Sequence, residues 1–277
     1  IPAVEGLDQI DFLTNENILE LKEKPESITI IGGGYIAMEY AWFLSAFGID
    51  VTIIEMNEVL MEGMEPEISE LLESEVRKYA ELHLGATAER VERGNGGVSV
   101  LISKSGDKSE VTSEKVFVAT GRVSNADNLA LDNTGIETDE RGYVKVDQFM
   151  ETTQPGVFAL GDITGKYMFK HVANEEARIA WHNSSSENKR GMEYHAVPMA
   201  VYGYPEIAAA GMTEEKASEE FDVLTGTAEF SSVSKGFIMK DEPGLVKAVV
   251  EKKTRRLLGL HVIGPEASIL LQEAVNV

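Results

Sequence analysis

The sequence predicts an α/β fold followed by a smaller α+β domain, on three observations. A continuous apolar strand at Ser27–Ile31 runs into a glycine turn, a helix and a second strand ending at Glu55. That βαβ order builds a parallel sheet buried on both faces. Two later apolar runs, Val116–Ala119 and Val157–Leu160, also lead into glycine turns. After the polar, serine-rich tract Ser184–Gly191, the pattern changes to short strands around one helix, the mark of a separate domain. A chain of 277 residues has room for about two domains of roughly 100–200 residues. Its apolar share of 43% supports an ordinary core.

The elements follow in order. Residues 1–26 form a connecting segment in which Thr14 is placed to cap a short helix through Leu21, stopped by Lys24-Pro25. The helix that opens at Gly34 runs to Gly48, a glycine C-cap, and Asp50–Glu55 is the next strand. Ile68, Leu71, Leu72, Val76 and Tyr79 recur at helical spacing and predict a helix over Pro66–Leu82. Thr87–Val91, Val98–Ile102 and Val116–Ala119 read as strands, the first two joined by Gly94-Asn95-Gly96-Gly97. The strand Val157–Leu160 precedes Gly161-Asp162 and a helix over His171–His182. Beyond residue 191, short strands at Ala196–Tyr202, Val246–Glu251 and Leu257–Val262 flank a helix opened by Thr213.

Composition narrows the function. Acidic residues number 47 against 25 basic ones, a net charge of −22. Such a surface repels phosphate backbones and anionic lipid, so neither nucleic acid nor a membrane is expected as a partner. No apolar run reaches the roughly 18 residues of a membrane span, and the start Ile1-Pro2-Ala3 has no features of a cleavable signal. Cysteine is absent, which excludes thiolate chemistry from this stretch and suits a reducing, cytoplasmic setting. His83, His182, His195 and His261 show no metal-ligand spacing, and no metal is expected. The run Glu62–Glu81 reads as a solvated helix face, and Tyr204-Pro205-Glu206 as packing between subunits.

The loop after the first strand, Gly32-Gly33-Gly34-Tyr35-Ile36-Ala37, is a G-x-G-x-x-A turn opening a helix. Gly32 permits the tight turn, Gly34 lets the backbone approach a pyrophosphate, and Ala37 is the small residue where helix packs on strand. The free N–H groups at the helix start favour phosphate. Glycine turns of this kind are common, so the loop alone is weak. Here the next strand ends in Glu55, 23 residues after Gly32. A carboxylate there accepts bonds from an adenosine 2′-hydroxyl and repels a 2′-phosphate. No Arg or Lys follows in Met56-Asn57-Glu58. The unit therefore reads as a Rossmann-type dinucleotide site that prefers NAD to NADP.

A second signature is more specific. Thr153-Gln154-Pro155-Gly156-Val157-Phe158-Ala159-Leu160-Gly161-Asp162 delivers an Asp past a Gly into the crevice at a sheet's carboxyl end, where a carboxylate can hold a ribityl hydroxyl of a flavin. Further motifs are Gly32–Glu39, Ala119-Thr120-Gly121-Arg122, Met168-Phe169-Lys170-His171-Val172-Ala173, Val197-Pro198, Tyr204–Ala208 and Gly259–Ala267. With these in order along essentially the whole chain, the sequence resembles the pyridine nucleotide–disulfide oxidoreductases, most closely their dihydrolipoamide dehydrogenase branch.

The resemblance implies a Rossmann-like NAD domain (27–119) inserted in a partial FAD domain (connecting segment 1–26 and segment 120–190). A partial α+β dimer-interface domain (191–277) follows, and with it a homodimer. It implies NAD contacts from Gly32, Gly34, Ile36, Glu55, Ala88 and Gly121, and FAD contacts from Asp162, Met168, Phe169, Lys170 and His171. The helix near His171 would aim its positive end at the flavin. Glu39 matches a catalytic-site glutamate beside the flavin–nicotinamide contact, where the family pairs it with a lysine. The implied activity passes electrons between NAD(H), FAD and a disulfide/dithiol substrate. Dihydrolipoamide or a lipoyl domain is the first choice; mercuric ion or a low-molecular-weight thiol is the alternative.

Departures matter too. Ser124 stands where the family commonly has Pro, and Lys170 replaces a usually small residue beside the flavin. The family's N-terminal FAD fingerprint, redox cysteine pair and His-Pro…Glu motif are not in this stretch. Both ends look cut, and the chain alone is expected to be inactive. A non-catalytic NAD-binding and dimerisation module is the rival reading. A simple two-domain dehydrogenase leaves Gly161-Asp162 unexplained.

Overall fold

The computed structural model describes residues 2–94, 96–239 and 243–276. Asn95, in the predicted glycine turn, lies outside them. The α/β class read from the sequence is present, in two compact units: Ile1–Gly121 with Pro198–Val277, and Arg122–Val197.

The first unit opens with β1 (Ser27–Ile31), α1 (Tyr35–Ala46), β2 (Asp50–Glu55), α2 (Pro66–Val76) and β3 (Ala80–Leu84). Then come β4 (Thr87–Gly94), β5 (Gly97–Lys104), β6 (Asp107–Ser113) and β7 (Lys115–Val118). The parallel sheet has the order β3-β2-β1-β7, and β4-β5-β6 form an antiparallel sheet of their own. One core joins Ile28, Ile30 and Ile53 to Met38, Ala41 and Leu72 of the helices. The other joins Ile31 and Ile54 to Val91, Val100 and Ile102 of the antiparallel sheet. With helices on one side and strands on the other, β1 needs its unbroken apolar run. α1 ends where predicted: Gly48, at φ +70°, donates its N–H to the Ser45 carbonyl at 2.8 Å.

Three expectations give way here. The helix predicted over Pro66–Leu82 stops at Val76. Ala80, Leu82 and Leu84 are buried and alternate with Glu81 and His83, forming a strand that pairs in parallel with β2. Helical and strand periods coincide over so short a run, and the open edge of β2 decides between them. The helix expected from Thr14 shrinks to a 3-10 turn at Ile18–Glu20, because Leu13 is held by backbone bonds to Val116 and Val118. The strand β6 escapes pattern reading because most of its side chains are polar and exposed. It pairs with β5 along its length.

In the second unit, the strand expected at Val157–Leu160 is reduced to isolated pairing: Phe158 bridges Glu151, and Ala159 donates to the Met150 carbonyl at 3.1 Å. With residues 150–152 as its backbone neighbour, the segment builds no ladder. The helix α3 (Lys170–Ser185) follows. The tract read as a linker is tied down. Asn183 accepts from the Arg190 N–H and donates to the Arg190 carbonyl, both at 2.8 Å.

The first unit is completed by β8 (Met199–Val201), β9 (Ile207–Gly211), α4 (Glu214–Glu220), β10 (Val223–Glu229) and α5 (Ser234–Met239). After these come β11 (Leu245–Glu251), β12 (Leu257–Ile263), α6 (Ala267–Leu270) and α7 (Gln272–Val275). The antiparallel sheet has the order β10-β11-β12-β9-β8. Thr213 caps α4 as predicted, its hydroxyl accepting from the Lys216 N–H. Tyr204 packs within the chain: its ring stacks on Trp42 at 4.8 Å, and its carbonyl accepts from the Tyr79 hydroxyl at 2.9 Å.

The acidic run is only partly a solvated face, since Glu65 and Glu75 are buried. Glu65, just before α2, lies 2.9 Å from Nζ of buried Lys247 on β11; Glu67 at 2.9 Å and Glu214 at 2.7 Å complete the cluster. Burial opposes a charged amine, but the three carboxylates outweigh it and raise the Lys247 pKa.

His261 on β12 borders the cluster and faces the Met212 carbonyl through Nε2 at 3.0 Å. Its buried Nδ1 has no hydrogen-bond partner. Burial lowers its pKa, the nearby Glu65 notwithstanding. Below the ordinary histidine value of about 6.5, the unfolded chain therefore binds a proton that the folded chain resists. Stability falls as pH falls through that window. Urea unfolding between about pH 7.5 and 5.5 should show the native protein losing more stability than His261→Asn, by at most about 1.4 kcal/mol per pH unit. Equal losses would assign the pH response to other groups.

Candidate functional site

The parallel register sets Ile31 beside Ile54, so the turn leaving β1 lies against Glu55. Gly32 has φ +115°, and a Cβ there would sit 2.4 Å from the Ala119 carbonyl oxygen. Gly33 occupies a position the G-x-G pattern leaves free, yet a Cβ would fall 2.8 Å from Cγ of Glu55. Its N–H donates to Glu55 Oε2, and the Asn57 N–H donates to Oε1 at 2.7 Å. Gly34 is different. Its backbone is extended and nothing lies within 4 Å of a Cβ built on it. The fold itself makes no demand for glycine at 34. The open space lies beside the start of α1, whose N-cap is Gly34 itself and carries no capping side chain; a helix start of this kind offers main-chain N–H groups and a partial positive charge to a phosphate.

These residues line a cleft of about 420 Å³. It gathers Gly32, Gly34, Ile36, Glu55, Ala88 and Gly121 from the expected NAD set. Tyr35 and Thr120, which lie within the sequence motifs, line it as well, as do Asn57, Glu62 and Thr87, which no sequence motif singles out. The described lining residues include two carboxylates, Glu55 and Glu62, and no Lys or Arg. Glu39 is not among them. It is half-buried on α1, and its Oε1 accepts from the Tyr202 N–H at 2.9 Å. A wider cleft of about 960 Å³, with Glu67, Glu70, Leu71 and Phe237 in its walls, carries none of the motif residues.

In the second unit, Asp162 lies in a 3-10 turn, Gly161–Thr164, with Oδ2 2.8 Å from Nη1 of Arg122. The same Nη1 donates to the Met168 carbonyl at 3.3 Å, so Arg122 ties Asp162 to the Met168–His171 segment. The rings of Phe169 and His171 stack at 5.6 Å. Lys170 and His171 are exposed at the start of α3, whose N-cap also lacks a side-chain bond. Beneath the turn, buried Glu176 accepts from the Gly161 N–H at 2.6 Å and from the Tyr194 hydroxyl at 2.7 Å. Burial and this carboxylate push the Tyr194 pKa well up. Glu176 was invisible to motif reading: Glu175 beside it is the same residue type, and only packing tells which faces inward.

Both parts of the chain have relatives. Residues 1–177 match the pyridine nucleotide-disulphide oxidoreductase family, and residues 197–277 its dimerisation domain. Mycothione reductase from Mycobacterium tuberculosis (strain ATCC 25618 / H37Rv) is 35% identical over 282 residues, 100% of this chain and 61% of that protein. Dihydrolipoyl dehydrogenase from Synechocystis sp. (strain ATCC 27184 / PCC 6803 / Kazusa) is 34% identical over 290 residues, 99% of this chain and 60% of that protein. Among solved structures, the HOCl-induced flavoprotein disulfide reductase RclA from Escherichia coli superposes with a TM-score of 0.90 at 28% identity, covering 99% of this chain and 63% of that one. The chain thus spans about three fifths of the length of these proteins. No helix among the described residues is long and apolar enough to cross a membrane, and no cluster of His, Cys, Asp and Glu among them is suited to a metal. Family members are FAD- and NAD(P)-dependent disulfide oxidoreductases. Matched in both parts and along nearly every residue, the chain belongs to the pyridine nucleotide-disulphide oxidoreductase family.

Proposed function

We propose that this chain supplies the NAD site, part of the FAD site and the subunit interface of a homodimeric, cytoplasmic flavoprotein. That protein moves electrons between NAD(H) and a disulfide/dithiol pair. Dihydrolipoamide, free or on a lipoyl domain, is the first substrate; the disulfide handled by a mycothione-type reductase is the second. One observation carries the reading: a glycine loop, an uncapped helix start and a strand-end glutamate converge on one cleft, and position 34 is left open where the fold has no use for the space.

The geometry supports the following roles. The first N–H groups of α1 hold a pyrophosphate, Gly34 leaves it room, and Glu55 takes the adenosine ribose. Asp162, kept in place by Arg122, offers a carboxylate to a ribityl chain, and the uncapped start of α3 favours negative charge. Glu39 keeps one orientation through the Tyr202 N–H. When bound, the nicotinamide and flavin supply the hydride and electron chemistry, while these side chains align them. By this reading 27–119 serve NAD, 1–26 and 120–190 serve FAD, and 191–277 serve the interface.

The test uses the full-length protein purified with FAD. A flavin absorbance spectrum and NADH oxidation coupled to lipoamide are expected. A flavin spectrum with turnover only on another disulfide would move the substrate and keep the class. NADH binding with neither flavin nor turnover would leave a nucleotide-binding and dimerisation module.

A further inference from the structure

We propose that Trp42 is a positioning residue for electron transfer. With Tyr79 and Tyr204 it forms an aromatic wedge that seats residues 202–204 on α1 and so fixes the carboxylate of Glu39. The assignment rests on the proposed place of Glu39 beside the flavin–nicotinamide contact and adds three residues outside the dinucleotide motif.

Glu39 and Trp42 stand three residues apart on α1, so their side chains share one face of the helix. The segment between β8 and β9 lies along that face. The Tyr202 N–H donates to Oε1 of Glu39 at 2.9 Å. Two residues on, the Tyr204 ring stacks on the Trp42 ring, centroids 4.8 Å and planes 27° apart. Between them, Gly203 comes so near the helix that a Cβ on it would lie 3.1 Å from the Met38 carbonyl oxygen. That leaves little room for a side chain at 203.

Tyr79, in the turn between α2 and β3, closes the wedge from a third direction. Its ring meets the Trp42 ring edge-on at 5.3 Å, and its hydroxyl donates to the Tyr204 carbonyl at 2.9 Å. Burial, helped by Glu75, raises the pKa of this hydroxyl, so it remains a donor at neutral pH. Tyr202 is itself exposed, whereas Trp42, Tyr79 and Tyr204 are half-buried. The Tyr202 N–H thus keeps its place through the residues that follow it. A group in a reacting site must be held to a fraction of an ångström, and packing of the supporting side chains achieves this.

Stopped-flow reduction of the full-length, FAD-loaded protein by NADH tests the assignment, beside amide hydrogen exchange and calorimetric titration with NAD⁺. Trp42→Ala is expected to slow flavin reduction about tenfold, with the NAD⁺ dissociation constant held within about twofold. Exchange of the Tyr202 amide should quicken by about tenfold or more. Trp42→Phe keeps a ring to stack and should recover most of the rate. Glu39→Gln should also slow reduction. Adding Trp42→Ala to it should slow reduction by less than about twofold more, because both act through one carboxylate. Tyr79→Phe loses only the bond to the Tyr204 carbonyl and should slow reduction about threefold. It serves the same double-variant comparison if Trp42→Ala does not fold. A native rate in these wedge variants, or losses that multiply in the Glu39→Gln background, overturns the proposal alone. If the protein takes up no flavin, or Glu39→Gln is reduced at the native rate, the reading of Glu39 fails and the proposal falls with it.

Discussion

Gly34→Val should lower NADH affinity at least about a hundredfold while leaving the melting temperature within about 2 °C of the native protein. The two halves of this result have separate causes. At 34 the backbone is extended (φ −84°, ψ −173°) and no atom lies within 4 Å of the Cβ position, so the folded chain accepts a β-branched residue. What a valine would fill is the space in front of the α1 N–H groups, where pyrophosphate must approach closely. Gly32→Ala provides the contrast. Its Cβ would meet the Ala119 carbonyl oxygen at 2.4 Å, on a backbone at φ +115°, so it should lower stability along with binding. Titration calorimetry and thermal melts on both variants decide. Native affinity in Gly34→Val would remove pyrophosphate from this position; a collapsed melting temperature would show that the fold uses the space after all.

Lys247→Met should lower unfolding free energy by about 3–5 kcal/mol. The side chain is 3% exposed and its partner Glu65 2% exposed. Methionine fills similar volume, so the loss comes from stranding a buried carboxylate, with little from a cavity. Glu65→Gln combined with Lys247→Met should regain part of the loss, because no fully buried unpaired charge remains. Glu67 and Glu214 are more exposed, at 42% and 44%. Their Gln variants should change stability by less than about 1 kcal/mol each, screened as they are by water. Urea denaturation monitored by circular dichroism measures all of these. A native-like midpoint for Lys247→Met would show that water reaches Glu65 and that the cluster contributes little.

The dinucleotide unit was legible in one dimension because its parts are local. A strand, a three-glycine turn and a helix obey rules of a few residues each, and the distance to Glu55 follows from the length of one βαβ step. Asp162 was legible for a similar reason, coming after an apolar run and a glycine. The order of the motifs was enough to reach the family. The helix at Thr213 and the glycine stop at Gly48 came from capping chemistry, which is equally local.

Other features depended on neighbours far along the chain. Residues 80–84 satisfy two periodicities, and only the edge of β2 makes them a strand. β6 has almost no apolar signal and exists because β5 pairs with it. Glu175 and Glu176 are alike in sequence, but burial sends one to Gly161 and leaves the other in water. The sequence by itself determined that this would be an acidic, cysteine-free α/β protein with a G-x-G-x-x-A loop between its first strand and helix. Tertiary structure alone decided which of its many glutamates are buried and paired, as Glu65 is with Lys247, which accept main-chain N–H groups, as Glu55 does at the edge of the cleft, and which stay exposed, as Glu175 does. The physical reason is that a carboxylate's role is set by its distance to charges, donors and water, and residues many positions away in sequence supply those.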